Sequence, residues 1–211
     1  MGKCWQVDPF GKRLPQPIAL GSQGGIWEAF AHDTRDPTRL YAFITEDSED
    51  GALQRMTYIN PNYTRSWDIL LQPGFLEYLI LEPNSFFDRT SGTFRWTTDE
   101  HEARENAEWY YPQTEGMKMD GDILRVVSKS LRGFFLLDLD KGTYIFETAG
   151  FDGQPDQSIT VTQKDGSKLT YFTEEANPVL GFFGAQVGIY TRNAAGEYCT
   201  IIFGDDHSPG M

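Results

Sequence analysis

The chain has 211 residues, with 31 acidic side chains against 18 basic ones and a formal net charge of −13. A field of that sign repels nucleic acid and anionic membrane surfaces and gathers cations, so polyanion-binding functions are excluded first. Fifteen Phe, ten Tyr, five Trp, 21 Gly and eleven Pro mark an aromatic, turn-rich chain of the all-β class, long enough to bury a core.

In chain order, Lys3 to Phe10 alternates loosely and turns at Pro9, which reads as a strand completing the last blade of a ring. No apolar segment follows the basic residues before Arg13, so no signal peptide is visible, and no apolar run is long enough for a membrane span. A targeting segment removed on maturation would leave the same sequence, so the compartment is unassigned. Cys4 and Cys199 neighbour aromatic or β-branched residues, which predicts buried free thiols. Gly21-Ser-Gln-Gly-Gly25 is followed by a strand rather than a helix, which argues against a phosphate-cradling loop.

Trp27 to Asp33 and Leu40 to Asp47 read as paired strands, with Glu28 near the start and His32 as a further ligand candidate. Thr45 to Gly51 holds four acids without the spacing of an EF-hand, so an acidic turn between strands 39–46 and 52–59 is expected. Ser66 to Leu71 and Phe75 to Leu81 read as strands of a further blade. One short helix is expected near 99–109, capped by Thr98, with acids in its first turn and Ala103 and Ala107 on one face.

Thr114 to Ser130 then forms two strands around Asp120-Gly121, a dipeptide suited to a tight hairpin turn. Arg132 to Asp140 carries a long apolar run, which predicts burial on both faces. Pro155 to Gly166 and Leu169 to Glu175 repeat the hairpin pattern, and Val187 to Tyr190 with Tyr198 to Phe203 make another. Residues 1–204 read as a single propeller-like domain and 205–211 as a flexible tail.

Glu28, Glu115 and Asp156 each open one of these strand pairs. Glu115 and Asp156 stand 41 positions apart, and Glu28 and Glu115 stand 87 apart, close to twice that. Propeller blades recur every ~40–50 residues, so the spacing predicts a β-propeller-like fold of about four to five blades, one blade being skipped. Equivalent places on such an array face a common axis. Three carboxylates there would repel one another unless a cation neutralised them, and Glu115→Gln would then relax the metal-free protein. The alternative is that each acid faces solvent or caps a turn. Asp152 and Asp156 are both ligand candidates in their loop, with Asp156 favoured by register.

Gly25-Ile-Trp-Glu-Ala-Phe-Ala-His-Asp33, Phe43-Ile-Thr-Glu-Asp47, Asp50-Gly-Ala-Leu53, Tyr111-Pro-Gln-Thr-Glu-Gly116, Asp152-Gly-Gln-Pro-Asp156 and Tyr171-Phe-Thr-Glu174 together resemble the PhoX-type alkaline phosphatases and their algal and oomycete relatives. The resemblance runs from about Trp5 to Phe203. It implies a propeller whose axial acids bind calcium and, in the phosphatases, an iron pair, with Glu28, Glu115 and Asp156 as metal ligands. The chain departs from the family in two places. Its sequence starts after the Cys-containing segment that ligates iron, and Gln113 stands where bacterial members carry an Arg. Glutamine lacks the charged fork that grips phosphate.

Two functions follow as expectations. One is a calcium-binding propeller related to phosphomonoesterases, with cations and a phosphate ester as partners. The other is a non-catalytic interaction module, whose open sheet edges would pair with a second copy or a partner chain.

Overall fold

A computed structural model describes residues 2–148, 151, 153–175, 187–192 and 198–204. They fall into two compact units, Met1–Glu82 with Phe94–Thr114, and Pro83–Thr93 with Glu115–Met211.

In the first unit, β1 (Trp5–Gln6) pairs antiparallel with β2 (Gln16–Pro17). The N-terminal segment expected to complete another blade instead makes this two-residue ladder, and Pro17 has no N–H to extend it. β3 (Trp27–Asp33), β4 (Arg39–Glu46), β5 (Gln54–Ile59) and β6 (Phe75–Pro83) follow as antiparallel neighbours in sequence order. Their inner face buries Leu40, Ala42, Ile44, Met56 and Tyr58 against Ile18 and Leu20, with Cys4 and Trp27 packed at the margin.

Ser66 to Leu71 is not a strand. A 3-10 turn, Tyr63–Arg65, runs into α1 (Ser66–Ile69). The Asn62 side chain accepts the Thr64 N–H at 3.1 Å, and Arg65 pairs with Asp68 three positions on at 2.7 Å. Both contacts favour a helical turn over an extended chain. β6 is therefore the fourth strand of the first set, and no separate skipped blade is present among the described residues.

β7 (Ser91–Thr97) leads to α2 (Glu100–Tyr110), the expected helix. Its cap is Asp99 rather than Thr98. Asp99 Oδ1 accepts the His101 and Glu102 N–H groups at 3.0 and 3.1 Å, satisfying two donors that the helix cannot. Asn106 on this helix fastens β6, accepting the Leu81 N–H at 2.9 Å and donating to the Leu81 carbonyl at 3.0 Å.

In the second unit, β8 (Thr114–Asp120), β9 (Ile123–Ser128), β10 (Gly133–Asp138) and β11 (Thr143–Thr148) form another sequential antiparallel set. Ser91, Gly92 and Thr93 of β7 pair antiparallel with Ile145, Tyr144 and Thr143 of β11. Gly121 takes φ +66°, as the Asp120-Gly121 turn requires. Phe134, Phe135 and Leu137 on β10 are all buried, so the strand is covered on both faces as expected. β12 (Gln154–Thr162), β13 (Lys168–Glu175), β14 (Val187–Arg192) and β15 (Tyr198–Gly204) make the third set, also in sequence order. Phe134, Phe172, Phe151, Val127 and Tyr190 form this unit's core.

Four-stranded antiparallel sets in sequential order give an all-β, propeller-like fold. Cys4 and Cys199 are free, and Cys199 is exposed rather than buried. Asp152, 179–184, the loop 193–196 and the tail 205–211 lie outside the described residues. Among the described residues no helix is long and apolar enough to cross a membrane.

Candidate functional site

The acids singled out by spacing sit at a recurring irregularity. β3 and β4 pair at Trp27 with Glu46, and pairing resumes at Phe30 with Ile44. Glu28 and Ala29 together therefore face Thr45, a β-bulge that re-aims the side chain of the first residue. The Ala29 N–H, which has lost its ladder partner, donates to Thr45 Oγ1 at 2.9 Å.

β12 and β13 repeat the device. Pairing runs from Pro155 with Glu174 to Ser158 with Phe172, leaving Asp156 and Gln157 against Thr173. The Gln157 N–H donates to Thr173 Oγ1 at 3.0 Å. In both sets an acid takes the first bulge position and a threonine hydroxyl locks the second.

The structure places the individual acids as follows. Glu28 is exposed, and the Asp47 carboxylate comes within 4.8 Å of its own. Asp47 is held by its N–H donating to the Ile26 carbonyl at 2.8 Å. Two adjacent carboxylates of this kind favour a cation beside them. Asp156 is half-buried and accepts from Gln157 Nε2 at 3.3 Å.

Glu115 differs, being only 2% exposed and ion-paired with Lys129 Nζ. Lys129 Nζ already faces this carboxylate, so any relief of repulsion on changing Glu115 to Gln is opposed by the loss of that ion pair. The backbone of β8 lies directly on the β12 bulge. A Cβ at Gly116 would stand 2.6 Å from Gln157 Cα and 2.7 Å from the Asp156 carbonyl. The sequence reading missed Asp47 and Lys129, although both belong to the Thr-Glu-Asp and Ser-Lys endings of the second strands.

His32 is exposed, pointing away from the buried Ala31 and Asp33 that flank it. Cys4 packs at the edge of the Ile18 and Leu20 core, and burial pushes its thiol pKa up. Gln113 adopts φ +50°, uncommon for a residue with a Cβ, and its N–H donates to the Ser48 carbonyl at 3.0 Å. Its amide leaves this position without a positive charge.

Glu46, next to Thr45, is buried, and that burial raises its pKa despite the opposing Arg104 guanidinium; Asp50 adds to the rise. Arg104 reaches Glu46 at 3.2 Å, Asp50 at 3.5 Å and Glu100 at 2.9 Å. Arg104→Met is expected to cost about 2 kcal/mol, below the range for fully buried pairs because Arg104 is partly exposed. A urea denaturation midpoint at low salt measures it, and an unchanged midpoint would mean the three contacts are solvent-screened.

No protein-family model and no curated protein matches the sequence. Among solved structures the chain is similar to Pseudomonas fluorescens PhoX in complex with vanadate, a transition state analogue. The TM-score is 0.66 at 14% identity, covering 97% of this chain and 49% of that one. The chain thus spans about half the length of that structure, and at this identity the likeness is one of fold: this chain shares the β-propeller-like architecture of PhoX.

Proposed function

We propose that this chain is a calcium-binding propeller-like domain related to the PhoX-type phosphomonoesterases, with Glu28, Glu115 and Asp156 as cation ligands. The observation that carries the reading is the bulge acid repeated at Glu28 and Asp156, each beside a threonine-locked amide. Glu28 and Asp47 add a pair of hard oxygen donors, which suit calcium better than the nitrogen and sulfur ligands that zinc prefers. A calcium ion held there would neutralise phosphate charge and polarise a phosphoryl oxygen. The chain's own part is positional: the bulges aim the carboxylates, Thr45 and Thr173 fix the backbone, and Gly116 permits close approach.

Gln113 favours a second reading, a cation-binding scaffold without turnover, because its neutral amide cannot replace a guanidinium on phosphate. Aryl phosphate hydrolysis with calcium supplied separates the two.

The test of binding is thermal melting of chelator-treated protein with and without calcium. Ligand at 100 times its Kd stabilises by about 2.7 kcal/mol. For a chain of this size that is a rise of roughly 5–10 °C. Glu28→Gln and Asp156→Asn should each shrink the rise, since each keeps the shape and removes the charge. An unchanged wild-type melting temperature would refute the proposal.

A further inference from the structure

The three strand sets carry the same tripeptide pattern at the end of their second strands: a buried apolar residue, a hydroxyl, then a charge. The sequences are Ile44-Thr45-Glu46, Val127-Ser128-Lys129 and Phe172-Thr173-Glu174. Ile44, Val127 and Phe172 are each 0% exposed, which fixes the equivalence on burial as well as on sequence. The charge is acidic in the first and third sets and basic only in the second.

That one cation faces the most buried of the candidate acids. The Lys129 side chain is 13% exposed, and its Nζ lies on Glu115 Oε1. We infer that Lys129 is a tethered cation, occupying beside Glu115 the electrostatic role that a metal ion would take beside the bulge acids Glu28 and Asp156. The Glu115–Lys129 pair is then neutral in the absence of metal. A divalent cation at Glu115 competes with the ammonium on Oε1, so Lys129 lowers the affinity at this position. The last point rests on the reading of Glu115 as a calcium ligand; the charge balance does not.

The test is a double-mutant cycle on the full chain, melted first in chelator. Lys129→Met leaves Glu115 buried without its ammonium, and the melting temperature should fall by roughly 6–15 °C. Glu115→Gln should also lower it, by less. The Glu115→Gln/Lys129→Met double variant should recover at least half of the Lys129→Met loss, because neither charge remains. Losses that simply add would overturn the inference. If Lys129→Met does not fold, folding of the double variant supports it. Failure of the double variant, with Glu115→Gln folded, contradicts it.

Calcium is then added. Lys129→Met should gain more in melting temperature than wild type, with calcium affinity higher by about tenfold, the equivalent of 1.4 kcal/mol. Equal gains would contradict competition between lysine and metal. If no variant responds to calcium, the ligand reading of the preceding subsection fails, and the cycle in chelator still decides whether Lys129 is the tethered cation.

Discussion

Gly116→Ala is expected to destabilise the protein by about 3 kcal/mol, at the upper end of the usual cost of overpacking. The new methyl would stand 2.6 Å from Gln157 Cα and 2.7 Å from the Asp156 carbonyl oxygen, both backbone atoms that cannot rotate away. Relief requires β8 and the β12 bulge to separate, which strains the bulge that the Gln157 N–H contact with Thr173 holds. The melting temperature should drop by roughly 6–12 °C. Gly121→Ala is the control. Nothing lies within 4 Å of its Cβ, so only its positive φ opposes the change, at about 1 kcal/mol. Equal losses in the two variants would show that the approach of β8 to Asp156 is looser than described.

Phe172→Ala should cost about 4 kcal/mol, the range for an aromatic ring removed from a close-packed core. Phe172 is 0% exposed, stacks on Phe134 with ring centroids 5.0 Å apart, and meets the Phe151 ring edge-on at 5.5 Å. Phe134 belongs to β10 and Phe172 to β13, so the pair joins the two strand sets of one unit. The residue also stands opposite Ser158, where pairing resumes after the bulge, and it precedes the threonine that locks Gln157. The change should therefore weaken calcium binding along with stability. Chemical denaturation measures the first effect; a loss under 2 kcal/mol would mean that the surrounding rings collapse into the space.

What could be read from the sequence was local. The Asp120-Gly121 turn and the apolar run of β10 carry their own instructions, and both form as expected. Ser66 to Ile69 was misread because Trp67 and Ile69 favour strands in isolation, whereas Asn62 and the Arg65–Asp68 pair favour a helical turn. The helix cap moved by one residue because Thr98 and Asp99 both suit the position, and only the extended backbone at Asp99 decides between them.

The bulges were not legible, since they depend on how two strands pair across 17 residues of chain, from Glu28 to Thr45 and from Asp156 to Thr173. The spacing of the acids was legible without their surroundings. It marked Glu115 as one of three carboxylates but could not show Lys129 folding onto it. Nor could it show that Asp47 would stand beside Glu28, because that proximity depends on how β3 and β4 pair.

Isothermal titration of the chelator-treated protein with calcium tests the central claim most directly. Wild type should release or absorb heat at a dissociation constant of about 1 mM or tighter, within the span of calcium sites built from protein oxygens. Glu28→Gln and Asp156→Asn should each weaken it by roughly tenfold or more, a loss of about 1.4 kcal/mol. No heat in wild type, or the same isotherm in all three proteins, would contradict the claim that the bulge acids hold the cation.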